Sequence, residues 1–383
     1  MPPPLPKYCE KQPPNKRRLS SSLHIRGPEV VGLTIIGVAL APLFSMCVTC
    51  SLPLVLGLYV CFKIVRRKTA GRIVVNDYAA FITGCDTGFG HDLARRLDDR
   101  KFTVFAGCLR PDGAGARKLA SGASKRLHVV PLDVTSDDSV EEAHAYVKKH
   151  LPSGGLWAIV NNAGFNVMGD VEWLTVDLYH KAMDVNFYGA VRTFRRFLYM
   201  VRATKGRVVI VTSVKGRSSW PADSAYHVTK HGLETMADSL RLEMRKFGVN
   251  VAIIEPGDFS TATACQNEEV FQRYRKEADK MWESAPTEVR EVYRRRYLDA
   301  MLEYQRSSIG RGGGSTAPVM DAMEDAILSR RPHTRYMIAG SCLDMHTTLA
   351  QYYDVMPTWV SDLIISCWTG CDCFPDYRKL KLE

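Results

Sequence analysis

The stretch "YAAFITGCDTGFGHDLARRL", residues 78–97, contains the change of pattern that decides the fold. Residues 78–84 are mostly apolar and predict a buried β-strand, whereas residues 89–100 predict a helix with Leu93 and Leu97 on one face. Glycines 84, 88 and 90 lie between them with the spacing G-x-x-x-G-x-G. Glycines between a strand and a helix permit a tight turn and let a pyrophosphate approach the helix N-terminus. The stretch therefore predicts a dinucleotide-binding turn.

Short apolar strands alternate with amphipathic stretches along the chain that follows. Helices are predicted from Ser136, over 176–203 and over 225–247. Strands without alternation are typical of a sheet that is covered by helices on both faces. The series predicts an α/β fold, a single Rossmann-type doubly wound parallel sheet. After the first strand, the remaining strands are predicted at 103–109, 127–134, 156–164, 206–213, 249–257 and 334–340.

A charged helical insert, residues 265–307, breaks this alternation after the sixth strand. Its apolar residues recur at helical spacing, which is typical of packing faces. Two such helices beyond the strand ends predict a lid over a substrate pocket. The residues 310–318 that follow predict a flexible connection. The predicted packing residues are Phe271, Tyr274, Met281, Trp282, Val289, Val292, Tyr293 and Leu302.

The positive charge of the chain is concentrated near its beginning. The formal net charge is +10, and residues 1–72 hold eleven Lys and Arg against two acids. These cations flank the uncharged run Val30–Phe62, which exceeds the roughly 20 apolar residues that a membrane-spanning helix needs. The distribution argues against a nucleic-acid partner and for membrane lipid. It predicts a basic Pro-rich tail at 1–29 and a membrane anchor at 30–68, either a hairpin or a single span.

The cysteines predict neither a disulfide framework nor a metal site. Eleven cysteines in 383 residues are too few for a disulfide scaffold, so reduced thiols are expected. Cys367, Cys371 and Cys373 lack the further Cys or His that would complete a ligand set. The C-terminal segment 341–383 that holds them is rich in large apolar residues and is predicted to lie near the membrane.

Five sequence features together resemble one enzyme family. They are "TGCDTGFG" (83–90), "NNAG" (161–164), Ser213, "YHVTK" (226–230) and "PGDFST" (256–261). Their order and spacing are similar to those of the short-chain dehydrogenase/reductases. Within that family the chain looks most like the branch of D-3-hydroxybutyrate dehydrogenase, the retinol dehydrogenases and the 17β- and 3α-hydroxysteroid dehydrogenases. The resemblance covers residues 73–340, which we take as the catalytic domain.

The resemblance implies a catalytic set of Asn186, Ser213, Tyr226 and Lys230. Tyr226 would be the general acid and base, and Ser213, thirteen residues before it, would donate to the substrate oxygen. A free phenol has a pKa of about 10, so the nearby charge of Lys230 is needed to favour the phenolate. Asn186 would take part in a proton relay to the lysine. An intact set predicts a working enzyme.

The resemblance also implies a site for NAD. Asp133 would contact the adenine, and Thr261 would hold the nicotinamide carboxamide. The second strand ends in Gly107 and Cys108 without an acid, and Arg110 nearby leaves NADP open. The full set of predicted cofactor residues is Thr83, Gly84, Gly88, Phe89, Gly90, Asp133, Asn161, Ala163, Gly164, Tyr226, Lys230, Pro256, Gly257 and Thr261.

Two substrate classes remain open at this stage. A lipophilic steroid or retinoid alcohol or ketone suits the anchor, whereas a small 3-hydroxy acid needs a cation such as Lys215 or Arg217. A non-catalytic nucleotide-binding scaffold is the alternative of another class. The leader is not an Arg-rich transit peptide, which favours the endoplasmic reticulum, with the catalytic domain facing the cytosol, over a mitochondrial membrane. A homo-oligomer is compatible with the sequence.

Overall fold

The computed structural model describes residues 55–67, 69–75, 77–263, 267–310 and 312–370. The chain divides into two compact units, Met1–Thr69 and Ala70–Glu383. In the first unit, residues 55–67 form helix α1. The predicted tail 1–29, most of the apolar run Val30–Phe62 and residues 371–383 lie outside the described residues. Within the described part of the chain, no helix combines the length and the apolar character needed to cross a membrane.

The described residues of the second unit build a sheet of seven parallel strands. The strand order is β3-β2-β1-β4-β5-β6-β7, so the chain runs outward from β1 in one direction, returns, and continues in the other. This arrangement confirms the predicted doubly wound parallel sheet. The strands are β1 (Ala79–Thr83), β2 (Thr103–Cys108), β3 (Leu127–Pro131), β4 (Leu156–Asn161), β5 (Arg207–Val211), β6 (Asn250–Pro256) and β7 (Arg335–Ile338).

Helices cover both faces of the sheet. They are α2 (Gly88–Asp99), α3 (Ala114–Ser121), α4 (Asp137–His150), α5 (Val176–Met183), α6 (Gly189–Thr204), α7 (Ser224–Arg245), α8 (Ser260–Thr263), α9 (Glu268–Ser284), α10 (Thr287–Ser308), α11 (Ala317–Leu328), α12 (Met345–Tyr352) and α13 (Thr358–Gly370). The described residues beyond β7, up to Gly370, form a helical extension, as predicted.

The continuous apolar character of the strands has a direct structural cause. In β1, Ala80 and Ile82 pack into one hydrophobic cluster, and Ala79 and Phe81 pack into another. All four residues are fully buried. Successive side chains of a strand point to opposite faces, so a strand with a helical layer on each side must be apolar at every position.

The helix predicted over 176–203 is interrupted by a π-turn. Helix α5 ends at Met183, residues Asp184–Tyr188 form one wide turn, and α6 begins at Gly189. Such turns often occur at functional sites, and this one contains Asn186. Sequence periodicity did not predict it, because one inserted residue shifts the apolar pattern by less than a third of a turn.

The predicted insert is a pair of helices with a hydrophobic core of its own. Helices α9 and α10 pack in a third cluster with residues of the β4–α5 loop, such as Met168 and Leu174. Seven of the eight predicted packing residues are buried or packed against this cluster, but Val292 is exposed. The backbone of Arg294, two residues further on, leaves the helical conformation (φ 56°, ψ 154°), so one helical period does not extend through the whole of α10.

Candidate active site

A cavity of about 590 Å³ opens at the carboxyl edge of the sheet. Ligands of doubly wound sheets bind in the crevice outside the carboxyl ends of the strands, where the strand order reverses. Here that place lies between β1 and β4, whose following loops both line the cavity. The ends of β5 and β6 and residues of α9 complete the wall.

The turn after β1 is a cradle that only glycine permits. Gly84 and Gly88 have positive φ angles of 71° and 64°. A Cβ on Gly84 would lie 2.8 Å from Ala163 Cα, and one on Gly90 would lie 2.4 Å from Gly84 O. The turn leads into the first turn of α2, whose N–H groups have no partners within the helix. The residues present therefore fit the pyrophosphate of a dinucleotide.

Hydrogen bonds tie this turn to the end of β4. Thr83 Oγ1 accepts from the N–H groups of Asn162 (3.0 Å) and Ala163 (2.9 Å) and donates to Asn161 Oδ1 (3.2 Å). Asn162 Nδ2 donates to the carbonyls of Thr83 and Gly84, each at 3.0 Å. Asn162 was not among the predicted site residues, although its position in the "NNAG" motif indicated a role at this turn. Its side chain holds the glycine turn in position.

The predicted cofactor residues do not all lie at the cavity. Nine line it: Gly84, Gly88, Phe89, Ala163, Gly164, Tyr226, Lys230, Pro256 and Gly257. Thr83, Gly90 and Asn161 lie directly behind this wall through the contacts given above. The two others, Asp133 and Thr261, are not among the residues that line the cavity.

The structure shows the local surroundings of Asp133 and Thr261, and their predicted cofactor contacts stay predictions. Asp133 Oδ1 accepts from the backbone N–H (2.9 Å) and hydroxyl (2.7 Å) of Thr135, which stabilises the turn before α4. Thr261 lies in the short helix α8 with its side chain exposed. Ser260 and Thr263, its neighbours in α8, are buried and line the cavity instead.

Asn186 is buried in the π-turn, with 1% of its surface exposed. Its Oδ1 accepts from Phe165 N at 2.9 Å, and its Nδ2 donates to Phe165 O and Thr229 Oγ1, both at 3.0 Å. A Cβ built on Gly164 would lie 3.1 Å from Asn186 Oδ1 and 3.6 Å from Lys230 Nζ. Asn186 Oδ1 and Lys230 Nζ therefore both lie close to Gly164.

The other three predicted catalytic residues meet at the ends of β5 and β6. Lys230 is buried, its Nζ donates to Val211 O at 3.1 Å, and it lies 5.4 Å from the centroid of the Tyr226 ring. Ser213 Oγ donates to Pro256 O at 3.3 Å and accepts from Lys215 N at 3.2 Å. Tyr226 and Lys230 share one face of α7, as their spacing requires.

An ion pair that the sequence did not predict lies beside Tyr226. Lys215 Nζ bonds the buried carboxylate of Asp223 and lies 5.9 Å from the centroid of the Tyr226 ring. Both residues line the cavity. The two residues come from different segments of the chain. From the sequence, Lys215 was predicted only as a cation that could meet a substrate carboxylate. The carboxylate of Asp223 compensates the charge of Lys215, whereas Lys230, at 5.4 Å from the same ring centroid, is a separate cation of the cavity wall.

The C-terminal extension also contributes to the cavity. His346 of α12 lines it and packs against Trp220, with ring centroids 4.1 Å apart. Burial lowers the pKa of His346 to about 4, so its imidazole is neutral near pH 7. Asp344 Oδ2 accepts from the N–H groups of Gly340 (2.9 Å) and Asp258 (3.0 Å). The sequence offered no signal for these roles, because the extension lies far along the chain from the motifs.

Helix α9, part of the predicted insert, contacts the opposite wall of the cavity. Arg273 Nη2 donates to Asn166 O at 3.0 Å. Its guanidinium lies 5.5 Å from the ring centroid of Phe165 and 4.9 Å from that of Tyr274. All four residues line the cavity, so α9 closes one of its sides.

The doubly wound sheet, the glycine cradle and the Ser–Tyr–Lys–Asn cluster define a nicotinamide-dependent oxidoreductase. The family model for short chain dehydrogenase matches residues 78–270. The chain belongs to the short-chain dehydrogenase/reductase family. It is an alcohol dehydrogenase or ketone reductase that uses NAD(P).

Individual relatives agree with this assignment. The chain is 40% identical to rat mitochondrial D-beta-hydroxybutyrate dehydrogenase over 71% of its own length and 79% of that enzyme. It is 38% identical to rat retinol dehydrogenase 7, covering 81% of this chain and 94% of that one. It is 34% identical to bovine 17-beta-hydroxysteroid dehydrogenase type 6, covering 82% and 96%.

A solved structure of a short chain dehydrogenase from Burkholderia cenocepacia, in complex with NADP, shares the fold. It has a TM-score of 0.54 at 19% identity and covers 76% of this chain and 99% of that one. At this level of identity the likeness concerns the fold alone.

Proposed function

We propose that this enzyme interconverts a secondary alcohol and a ketone on a neutral, lipophilic substrate of the steroid or retinoid class. The observation that carries the proposal is the Lys215–Asp223 ion pair beside Tyr226. The retinol and steroid relatives support it, since they match over more of their length than the hydroxybutyrate relatives do.

In this mechanism Tyr226 transfers the proton at the substrate oxygen. During oxidation the phenolate takes the hydroxyl proton, and during reduction the phenol returns it. Ser213 Oγ donates a hydrogen bond to the same oxygen and stabilises its developing charge. A bound NAD(P) would supply the hydride chemistry at this site.

Lys230 and Asn186 support the proton transfer. The ammonium of Lys230 stabilises the Tyr226 phenolate and would hold the ribose hydroxyls of the cofactor. Asn186 and Lys230 both lie close to Gly164. We propose that Asn186 links the lysine to a proton relay. The glycine cradle, Asn161 and Ala163 would hold the rest of the dinucleotide, with Pro256 and Gly257 on the nicotinamide side.

The charges of the wall favour a neutral substrate over a carboxylate. The cations that line the cavity are Arg110, Lys215, Lys230 and Arg273. Lys215 is neutralised by buried Asp223, so a substrate carboxylate bound there would face another carboxylate. The cavity wall also contains the apolar side chains of Met168, Val214 and Trp220.

A small 3-hydroxy acid is the second candidate, and Arg273 is the observation that favours it. The Arg273 Nε has no hydrogen-bond partner among the described residues. Its nearest carboxylate, that of Glu277, is 3.9 Å away. This guanidinium could therefore bind a substrate carboxylate on the lid side of the cavity. A non-catalytic scaffold has no supporting observation of this kind.

The decisive experiment measures NAD(P)-dependent turnover by the full-length chain in detergent. The substrates are retinol, a 3α- and a 17β-hydroxysteroid, and D-3-hydroxybutyrate. Tyr226→Phe should lower turnover about 10²- to 10⁴-fold, because it removes the proton-transfer group. Tyr199→Phe, which removes an exposed hydroxyl remote from the cavity, is the control. Turnover of hydroxybutyrate alone, lost in Arg273→Gln, would establish the second candidate.

We also propose that the chain is anchored to a membrane through its N-terminal region, with the endoplasmic reticulum preferred over the mitochondrion. In α1, large apolar side chains from Val55 to Val65 are exposed. Lys63 and Arg66 lie over the rings of Tyr59 and Phe62, as cations do near an interface. Retention in the membrane pellet after alkaline extraction, lost on deletion of residues 1–68, is the expected result. Recovery of the intact chain in the supernatant would contradict it.

A further inference from the structure

The end of β2 presents two backbone amides to a carboxylate from another loop. Asp86, in the glycine-rich turn, accepts from Leu109 N through Oδ2 (2.9 Å) and from Arg110 N through Oδ1 (2.8 Å). The backbone of Asp86 is fixed as well, since a Cβ on Gly115 would lie 1.8 Å from its carbonyl oxygen. The Asp86 carboxylate is thus held rigidly at the tip of β2.

In doubly wound folds, the end of the second strand is where the adenosine ribose of the cofactor is read. An acid there bonds the 2′-hydroxyl of NAD, whereas an arginine accommodates the 2′-phosphate of NADP. This strand end has no acid of its own. A side chain on Gly107 would lie 2.5 Å from Leu132 Cδ2, and Cys108 is fully buried. Asp86 lines the cavity at this place.

The Asp86 carboxylate has the capacity for this role. A carboxylate has about four acceptor positions, and the two amides use two of them. The others can accept from a ribose hydroxyl. The same two amides would form an anion site if they were unpaired, but Asp86 already satisfies them. A 2′-phosphate would therefore find no free donor in these two amides, and the charge it could use there is that of the exposed Arg110.

Arg110 is the group that could bind the 2′-phosphate of NADP, but its surroundings make such a contact weak. Its side chain is 72% exposed and lies 3.9 Å from Glu269, whose side chain is 79% exposed. Solvent screens both charges, and an exposed pair of this kind contributes little. Asp86, in contrast, is partly buried and fixed by two backbone bonds.

We propose that Asp86 takes the place of the missing strand-end acid and makes this enzyme select NAD over NADP. The inference rests on the proposed function, because it concerns the cofactor of the same site. It adds the residue that discriminates between the two dinucleotides, which comes from the glycine-rich turn and not from β2.

The test is calorimetric titration of the full-length chain with NADH and with NADPH. The wild type should bind NADH at least about tenfold more tightly, because a fixed charge close to the 2′-phosphate repels it. Asp86→Asn should reduce this ratio towards one, mainly by tightening NADPH. The control is Asp112→Asn, in the loop after β2. Asp112 is exposed and does not line the cavity, so removal of its charge should leave the ratio unchanged.

Several outcomes separate this inference from the proposed function. If the wild type binds NADPH as tightly as NADH, the role of Asp86 is overturned, but the assignment as a dehydrogenase is unaffected. The same holds if Arg110→Ala weakens NADPH more than tenfold but Asp86→Asn, still folded, leaves the ratio unchanged. If Asp86→Asn does not fold, the wild-type ratio and Asp86→Ser decide. Failure of both nucleotides to bind would reject the cofactor site itself.

Discussion

Asp223 and Lys215 determine the charge that a substrate meets beside Tyr226. Asp223 is buried at the beginning of α7, and Lys215 reaches it from the loop after β5. Separating the two charges in a buried site would be costly, so the pair is expected to persist when substrate binds. A substrate carboxylate placed beside this pair would therefore face the carboxylate of Asp223, a residue that no catalytic motif contains.

We expect Asp223→Asn to shift the selectivity of the enzyme towards acids. With the carboxylate gone, Lys215 is left as an uncompensated cation near the reacting atoms. The ratio of kcat/KM for D-3-hydroxybutyrate to that for a neutral alcohol should rise about tenfold, which corresponds to about 1.4 kcal/mol. Steady-state kinetics on both substrates measure it. Asp177→Asn, an exposed acid in α5, is the matched control, and an unchanged ratio in Asp223→Asn would contradict the charge argument.

Two buried histidines should make stability depend on pH. Burial lowers the pKa of His227 and of His346 to about 4, below the ordinary value of about 6.5. Between these values the unfolded chain binds more protons than the folded one. The free energy of unfolding should therefore fall as pH decreases from about 6.5 to about 4, by about 1–3 kcal/mol for each histidine.

Urea unfolding across this pH range tests the prediction. His227→Gln and His346→Gln should each flatten the curve in that window, since the group that must gain a proton is gone. His180→Gln, which replaces an exposed histidine of α5, should leave the slope unchanged. Curves of equal slope for all four proteins would rule the histidines out as the cause.

At the scale of elements, the π-turn between α5 and α6 connects the helix layer to the β4–α5 loop. Its Asn186 bonds both backbone groups of Phe165 and the hydroxyl of Thr229 in α7. These three bonds use both N–H donors and one acceptor position of the amide, and they hold three segments together. The turn is thus a structural joint as well as the source of a proposed catalytic residue.

We expect Asn186→Ala to lower both stability and turnover. The substitution leaves the N–H group of Phe165 without its partner, at a cost of about 1–3 kcal/mol. Thr229→Val removes only one of the three bonds and should destabilise less. Thermal melts and kcat measured on the same preparations separate the effects: a loss of kcat in Asn186→Ala with an unchanged melting temperature would mean that the residue is not a joint.

Helix α12 acts on the cofactor loop through its N-cap. Asp344 accepts from Thr347 N (3.1 Å) within the helix and from Asp258 N in the loop after β6. These N–H donors lower the pKa of Asp344, and their contribution to stability is lost as the carboxylate is protonated in acid. The extension therefore fixes Gly257 and Asp258, which line the cavity.

Asp344→Asn should weaken cofactor binding without removing any group that lines the cavity. The charge-assisted bonds to the loop become ordinary ones, so the loop is less firmly held. We expect the Kd of NADH to rise about five- to tenfold, or about 1–1.4 kcal/mol. Asp354→Asn, an exposed partner of Arg217 in the same extension, should not change it. Calorimetric titration distinguishes the two variants, and equal Kd values would contradict the coupling.

At the scale of the whole molecule, the three hydrophobic clusters support different parts of the cavity. Two clusters lie on the two faces of the sheet and support the cofactor half of the cavity. The third lies between α9, α10 and the β4–α5 loop, and it forms the lid side. A defect in the third cluster should therefore disturb the substrate more than the cofactor.

Leu298→Ala, in α10, tests this division. Leu298 is almost fully buried in the third cluster, and Leu119 of α3 is fully buried in one of the sheet clusters. Both truncations cost about 2–5 kcal/mol where they act. We expect Leu298→Ala to raise the KM of the substrate more than tenfold with an unchanged Kd for NADH. Leu119→Ala should lower the global melting temperature instead, and identical effects of the two variants would mean that the clusters form one unit.

The sequence by itself determined the parallel sheet and most of the candidate site. Apolar runs and glycine positions are local constraints, and both can be seen within a few residues of chain. The order and spacing of the motifs then implied Ser213, Tyr226 and Lys230, which the fold brings together at the ends of β5 and β6. Thr261 shows the limit, because the motif spacing implied a cofactor contact, whereas the residue is exposed and is not among those that line the cavity.

Only the tertiary structure decided which distant groups became partners. Lys215 meets Asp223, Asp86 meets the end of β2, and Asp344 meets the loop after β6. None of these contacts follows from periodicity or a motif, because each joins residues from different loops whose distance depends on how the layers pack. Local sequence motifs thus predicted the chemistry of the reaction. The charge of the pocket and the support of the cofactor site depend instead on tertiary packing.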